Sequence, residues 1–318
     1  MSLLRETVNN ALAHRDYSID RQVILAIKPG KRIAIRNPGT FRKRLLIEAA
    51  DSPIPVRRIL PEAKPRNPKL ADVLRVCRKW EGRGIGMATL VNLCLENQMD
   101  MPYYRLFSEE VCLFLCAGRL LDERMERLFQ SFDSYLETRL QGSAPTPEQK
   151  LVLAYLIKSE WANEKLGYTI LLTPDNNHFA ALLGLEAAGL IHKHPISTAN
   201  YPIYVPDRVL MSRGHIPELR ELFGTGFDTL EPLLKSVLGV VYRFNHYNKA
   251  KLVSAKQASY VLWYEAGGAP GGIEQFDAFY RKVRYAFNKL LEGEFVAKLP
   301  GTRGYLLNHD YLSTHLGV

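Results

Sequence analysis

The sequence predicts an α+β protein, a two-layer α/β sandwich followed by mainly helical units. Within residues 1–118, helical periodicity alternates with two strand pairs, VILAI with RIAIR and YYRLF with VCLFLC. After residue 144, the order helix, helix, two-stranded hairpin occurs twice, which is typical of winged-helix domains. We therefore expect one sandwich and two smaller helical domains.

The domain boundaries follow from breaks in these patterns. The sandwich is predicted to end at residue 118, and GSAPTP closes an amphipathic connecting helix. Residues 40–66 are rich in Pro and Arg and lack a steady period, so we expect a long loop with one short helix, either a functional lid or a disordered segment. The predicted divisions are 1–118, 119–144 for the connecting helix and linker, 145–215 for the first winged-helix-like domain and 216–318 for the second.

Composition excludes several classes of protein. The chain of 318 residues is 47% hydrophobic and 24% charged, which is ordinary for a globular protein. No apolar run approaches the ~18 residues of a transmembrane helix, and the N-terminus lacks the features of a signal peptide. The four cysteines lack histidine partners at zinc-finger spacing. We expect a cytoplasmic protein without a membrane partner.

The positive charge is concentrated in the first hundred residues. The whole chain has a net charge of +9, and residues 1–100 hold 19 Lys and Arg against 10 Asp and Glu. A local surplus of this kind attracts the phosphates of a nucleotide or of nucleic acid. A solvated basic surface without a ligand is the alternative.

A glycine-rich stretch, EGRGIG, precedes an apolar helix at residue 87. It is not a Walker A loop, and the absence of that loop argues against an autonomous motor helicase. Backbone without Cβ atoms before a helix N-terminus lets amide groups approach phosphate oxygens. A simple turn into the helix is the alternative. The candidate phosphate-binding residues are Gly82, Arg83, Gly84, Ile85 and Gly86.

The first helix has a polar face. Glu6 and Asn10 are four residues apart, so their side chains point the same way, and His14 continues that face. A carboxylate can orient or deprotonate an attacking water, and an amide oxygen can ligate Mg²⁺. His14 either contacts the nucleotide or, together with Asp16, fixes the end of the helix.

The order of these motifs resembles that of a known ATPase superfamily. E-x-x-x-N-A on a helix, a polar-x-Gly turn after a strand (Asn37 to Gly39), a lid and G-x-G-x-G occur in this order in Bergerat-fold (GHKL) ATPases such as gyrase B, MutL and sensor histidine kinases. NALAHRDYS, IAIRNPGTF, PRNPKLADVL and EGRGIGMATLV resemble the C-terminal ATPase-like domain of RecG-related ATP-dependent DNA helicases and transcriptional regulators. The resemblance covers residues 3–118.

The resemblance implies ATP and Mg²⁺ as cofactors. It makes Glu6 the catalytic base, Asn10 the Mg²⁺ ligand, Asn37 and Gly39 the adenine-side turn, and the glycines at 82–86 the phosphate-side loop. The chain departs from the family at Asn37, where active enzymes usually carry Asp, and in lacking the second glycine of that turn. The family also implies an AlbA-type domain before this region, so the chain is alternatively a fragment of a longer protein.

The last helix and hairpin carry cations that would suit double-stranded DNA. Basic and aromatic residues on one helix, followed by a basic hairpin, are typical of a recognition helix and wing. A plain amphipathic helix with solvated charges is the alternative. The candidate residues are Arg281, Lys282, Tyr285 and Lys289 on the helix and Lys298 and Arg303 on the hairpin.

Together these features lead to an ATP-binding, DNA-binding regulator in which the nucleotide gates DNA contact and is hydrolysed slowly if at all. A non-catalytic ATPase fold that acts as a scaffold for homodimerisation or docking is the first alternative. A fragment of a larger helicase or defence protein is the second.

Overall fold

The computed structural model is mixed α/β and confirms the predicted α+β class. It forms two compact units: unit 1 is Met1–Asp122 with Thr146–Asp207, and unit 2 is Glu123–Pro145 with Arg208–Val318. In the described part of the chain, no helix is long and apolar enough to cross a lipid bilayer. The structure describes residues 3–52, 54–61, 65–76, 86–174, 176–212, 214–266 and 273–308.

The first 122 residues supply most of unit 1. Its first helix matches the predicted one, and both predicted strand pairs form. In chain order the elements are α1 (Leu3–His14), β1 (Ile24–Lys28), β2 (Arg32–Pro38), a 3₁₀ turn (Lys43–Leu45), β3 (Leu46–Ala49), β4 (Val56–Ile59), α2 (Pro68–Val76), α3 (Gly86–Glu96), β5 (Tyr103–Leu106) and β6 (Glu110–Cys116).

The chain then passes through unit 2 and returns. Where one connecting helix was predicted, two short helices meet at Phe132, α4 (Glu123–Ser131) and α5 (Asp133–Arg139), and both belong to unit 2. The returning segment, which completes unit 1, consists of α6 (Pro147–Asn163), β7 (Tyr168–Ile170), α7 (Phe179–Ala187), β8 (Ile191–Lys193) and β9 (Tyr204–Pro206).

Seven of the described strands of unit 1 form a sheet in the order β1-β2-β6-β5-β7-β4-β3, and β8 pairs with β9 in a separate antiparallel hairpin. β7 is antiparallel to β5 and parallel to β4, so it fills the middle of the sheet. This placement differs from the predicted boundaries at residues 118 and 145, because a strand from residues 168–170 is integral to the sandwich. β7 is too short, at three buried residues, to show a period in the sequence.

The prediction of a long loop over residues 40–66 was wrong. Residues 46–59 form the antiparallel hairpin β3–β4 rather than a long loop, with Leu46 opposite Ile59 and Ala49 opposite Val56. Val56 and Ile59 are fully buried, which gives the hairpin its apolar anchor. The Pro- and Arg-rich composition concealed these strands.

The remaining elements belong to unit 2. Its described strands form a sheet in the order β10-β12-β11, packed with three long helices around a core that includes Val241, Phe287 and Leu307. The elements are α8 (Arg208–Met211), α9 (Ile216–Phe223), α10 (Thr225–Asp228), α11 (Pro232–Tyr247), β10 (Val253–Ser254), α12 (Ala255–Glu265), α13 (Ile273–Glu292), β11 (Val296–Lys298) and β12 (Gly304–Leu307).

An ion pair joins β4 to α6 inside unit 1. Arg58 is 2% exposed and Glu160 is 6% exposed, and the Arg58 guanidinium donates to the Glu160 carboxylate. Arg58→Ala would leave a buried carboxylate unpaired, so we expect it to lower the free energy of unfolding by about 3–5 kcal/mol. Urea unfolding followed by circular dichroism measures this loss.

Arg220→Ala is the matched control, because Arg220 pairs with Asp228 at 2.8 Å on an exposed surface. That variant should lose less than about 1 kcal/mol. An equally small loss for Arg58→Ala would contradict the docking of α6 on β4.

Candidate functional site

Unit 1 contains a pocket between α1 and the sheet. Its empty volume, counted out to its open mouth, is about 720 Å³. Apolar side chains of β2, β5 and β6 form its floor, and α1 forms one wall. The floor residues are Ile35, Tyr104, Val111 and Leu113.

The wall formed by α1 is one helical stripe. Thr7, Asn10, Ala11 and His14 all line the pocket, at the three- and four-residue spacing that places side chains on one helical face. Ala11 is buried, while Asn10 and His14 are partly exposed. Two of the candidate nucleotide ligands, Asn10 and His14, therefore lie at the same pocket.

Two further candidates, Asn37 and Gly39, also line this pocket, from the C-terminal end of β2. The Nδ2 atom of Asn10 and the Oδ1 atom of Asn37 are buried and have no hydrogen-bond partner among the described residues. A buried polar atom without a partner costs about 1–3 kcal/mol. One unsatisfied donor and one unsatisfied acceptor at the same pocket are what a polar ligand would satisfy.

Both the backbone conformation and the neighbouring side chains favour glycine at residue 39. Its φ of +115° is a conformation that residues with a side chain rarely adopt. A Cβ there would lie 2.7 Å from Nη1 of Arg66 and 2.9 Å from Cβ of Asp16. The Gly39 amide donates to the Glu109 carbonyl at 2.9 Å, so the turn is held to the β5–β6 connection.

Asp16 fixes the segment that follows α1. Its carboxylate accepts hydrogen bonds from Ser18 Oγ at 2.6 Å and from Ser18 N at 3.0 Å, and it pairs with Arg66 at 2.6 Å. The bonds from Ser18, and secondarily the Arg66 charge, lower the pKa of Asp16. Asp16 thus holds the segment after the helix end, and His14 lines the pocket.

Two arginines at the pocket were missed by sequence reasoning. Arg42 and Arg66 both line it, and Arg66 Nη2 also donates to the Thr40 carbonyl at 2.7 Å. Arg66 belongs to the PRNP stretch before α2, and its neighbour Asn67 donates from Nδ2 to the carbonyls of Ala13 and Arg15. The PRNP stretch was a family motif, but nothing in it assigned Arg66 to a site.

An aromatic pair completes the pocket. The rings of Phe41 and Tyr104 meet edge to face with centroids 5.3 Å apart, and both residues line the pocket. Burial raises the pKa of Tyr104, so its phenol stays neutral. Such a wall offers aromatic contact to a flat heterocycle.

The remaining candidates for the nucleotide site are Glu6 and the glycine-rich stretch at residues 82–86. Glu6 is 4% exposed and is not among the residues that line the described pocket, although its neighbour Thr7 is. Gly82, Arg83, Gly84 and Ile85 lie outside the described residues. Gly86 begins α3, and Met87 lines the pocket.

No cluster of three or more His, Cys, Asp or Glu side chains suited to a metal occurs within the described ranges. A Mg²⁺ ion here would depend on the Asn10 amide, on phosphate oxygens and on water, which is the ordinary manner of binding for this ion. The donor set fits a metal that arrives with a nucleotide.

In unit 2, α13 separates a buried stripe from an exposed basic surface. Val283, Ala286, Phe287 and Leu290 are fully buried, whereas Tyr285 is 61% exposed. Lys289 pairs with Glu292 at 2.9 Å and also lies over the Tyr285 ring. All the DNA candidates are exposed: Arg281, Lys282, Tyr285 and Lys289 on α13, and Lys298 and Arg303 on the β11–β12 hairpin.

Residues 21–115 match a family described as "Putative ATP-dependent DNA helicase recG C-terminal". The match contains the pocket strands with Asn37 and Gly39, and α1 precedes it. Unit 1 thus contains a region similar to this ATPase-type domain.

No curated protein matches the chain. A solved structure, the DIP2311 protein from Corynebacterium diphtheriae, is 19% identical with a TM-score of 0.33. That similarity covers 96% of this chain and 49% of that one, so this chain spans about half the length of the solved protein.

Gly39→Ala tests the turn at the pocket. Left-handed strain of about 1–3 kcal/mol, together with the contacts to Arg66 and Asp16, should lower the free energy of unfolding by at least about 2 kcal/mol. Gly30→Ala is the control, because Gly30 has φ +66° and nothing lies within 4 Å of its added Cβ. Its loss should stay near 1 kcal/mol in the same urea titration. Equal losses of unfolding free energy in the two variants would show that Arg66 and Asp16 do not exclude a side chain at residue 39.

Proposed function

We propose that this chain is a nucleotide-binding, DNA-binding regulator. The pocket of unit 1 binds ATP with Mg²⁺, and α13 with the β11–β12 hairpin contacts double-stranded DNA. The observation that supports the nucleotide most directly is the unpaired donor on Asn10 and the unpaired acceptor on Asn37 at one pocket.

Each part of the pocket suits a part of a nucleotide. The Asn37 Oδ1 would accept a hydrogen bond from the exocyclic amine of adenine, and Phe41 and Tyr104 would contact the base. Arg42 and Arg66 supply positive charge for phosphate oxygens. The Asn10 amide would orient the phosphate–Mg²⁺ group, and the bound ion would neutralise phosphate charge.

Hydrolysis is a separate part of the proposal. Glu6 lies one helical turn before Asn10 on α1, outside the described pocket lining, and as a base it would hold the proton of an attacking water. Glu6→Gln removes that base with little change in shape. We expect slow hydrolysis that Glu6→Gln abolishes while nucleotide affinity is retained.

A non-catalytic scaffold is the second candidate. Asn37 stands where active relatives carry a carboxylate, and an uncharged acceptor makes a weaker hydrogen bond. In this alternative the fold binds no nucleotide and its role is dimerisation or docking.

Calorimetric titration with a non-hydrolysable ATP analogue and Mg²⁺ separates the two candidates. We expect a dissociation constant on the order of micromolar, weakened at least about tenfold by Asn10→Ala, because one charged-group hydrogen bond contributes about 1.5–3 kcal/mol. Asn97→Ala is the control, since Asn97 is exposed and bonds only locally to the Leu93 carbonyl. Absence of binding to the wild-type chain favours the scaffold.

The DNA contact is tested by its salt dependence. Lys282→Ala with Lys289→Ala should weaken duplex binding and reduce the slope of log K against log salt by about 1.8, or ~0.9 for each lost phosphate contact. Lys69→Ala, an exposed lysine on α2, should leave the slope unchanged. Fluorescence anisotropy with a labelled duplex measures both, and an unchanged slope in the double variant would remove α13 from the interface.

A further inference from the structure

The sheet of unit 1 has a second face that the pocket does not use. Alternate residues of a strand point to opposite faces, and Ile35 on β2 and Tyr104 on β5 line the pocket. Their neighbours in the strands therefore point to the other side. The register sets Lys28 beside Arg32, and places Cys112 between Arg36 and Arg105.

Helix α6 packs on this second face at β4 and β7. Arg58 and Thr169 lie there in register, both are buried, and Arg58 pairs with Glu160 of α6. Toward β1 and β2 the face is open. We call this open part the basic sheet face; its four exposed cations are Lys28, Arg32, Arg36 and Arg105.

The charge on the basic sheet face is unbalanced. Within the described strands, Glu110 is the only carboxylate at a position on this face, and it pairs with Arg36 at 2.8 Å. Arg32 instead lies over the Phe114 ring, 5.0 Å from its centroid. Like charges held this close repel one another, and a bound polyanion would relieve that repulsion.

The charges of these arginines act together on two neighbouring side chains, Cys112 and Tyr103. Burial raises the pKa of the Cys112 thiol, while the charges of Arg36, Arg32 and Arg105 all act to lower it. Arg105 and Arg32 likewise act on the Tyr103 phenol. Three guanidinium groups thus surround the strip between β2 and β5.

We propose that the basic sheet face binds the sugar–phosphate backbone of a single nucleic-acid strand. Three of its four cations are arginines, whose planar groups bind phosphate through paired hydrogen bonds. Tyr103 is partly exposed among them, and its ring stacks on the buried Phe114 ring with centroids 5.0 Å apart. Cations around a partly exposed aromatic ring are typical of single-strand binding, because a base can stack on the ring, and an acidic protein would not require the ring.

This site differs from the proposed duplex contact, because it lies in unit 1 and α13 lies in unit 2. The probe is a fluorescein-labelled oligothymidylate of about 20 nucleotides, longer than the ~4–16 nucleotides that such sites usually cover. Binding of the full chain is followed by anisotropy over a range of salt near about 0.1 M.

Lys28→Glu with Arg105→Glu is the test variant, because neither residue has an ion pair in the described structure. We expect at least a tenfold loss of affinity and a salt slope reduced by about 1.4, or ~0.7 for each lost contact. Lys28→Gln with Arg105→Gln, which adds no carboxylates, should give a smaller loss in the same direction. Lys69→Glu is the matched control and should bind like the wild type.

Unchanged binding by both double variants would overturn the proposal, as would absence of binding by the wild type. Competition by polyglutamate as effective as by unlabelled oligothymidylate would also overturn it, because the surface would then select acidic protein. If Lys282→Ala with Lys289→Ala abolishes oligothymidylate binding and the unit 1 variants do not, the strand binds α13 instead. If only duplex binding fails, the proposed function of α13 is contradicted and the proposal for the basic sheet face is not.

Discussion

The insertion of β7 between β5 and β4 is the constraint on which the rest of unit 1 depends. Without residues 168–170, no strand would hydrogen-bond β4 and β3 to the strands that form the floor of the pocket. Side chains secure the insertion at several points. Tyr168 donates to Glu48 on β3 at 2.9 Å, and the Tyr155 hydroxyl of α6 donates to the Ile170 carbonyl at 2.7 Å.

A buried lysine ties α6 to the segments around β5 and β6. Lys158 is 6% exposed and donates to Asp100 at 2.8 Å, to Asp122 at 2.7 Å and to the Arg119 carbonyl at 2.9 Å. Three acceptors satisfy the three donors of the ammonium group, which makes its burial tolerable. The returning segment therefore supports the sheet, the sheet positions β2 and β5, and these strands hold Asn37 and Tyr104 at the pocket.

Local sequence signals predicted the elements that depend on local interactions. The helix α1 was predicted, and α6 begins at a Thr146 N-cap that forms a capping box with Gln149, an interaction within four residues. The strand β4 was missed because Arg58 points inward and is neutralised by Glu160, a partner far away in sequence. No window of sequence around residue 58 contains that information.

The same distinction applies to the candidate sites. Asn10, Asn37 and Gly39 were singled out by motif order and His14 by its helical spacing from Asn10, and the structure brings them to one pocket. Arg42 and Arg66 were missed because their place at the pocket follows from the turn at Gly39 and the ion pair with Asp16. The basic sheet face was invisible in the sequence, since it exists only once the strand register is known.

The most direct test of the account compares ATP with inosine triphosphate, which replaces the exocyclic amine by a carbonyl, in calorimetric titrations of the wild type and of Asn37→Ala. If the Asn37 oxygen accepts a hydrogen bond from that amine, the wild type should prefer ATP by roughly tenfold, because each 1.4 kcal/mol is a factor of ten. Asn37→Ala should bind both nucleotides with nearly equal affinity. Equal binding of the two nucleotides by the wild type, or an unchanged preference in Asn37→Ala, would contradict the assignment of this pocket to an adenine nucleotide.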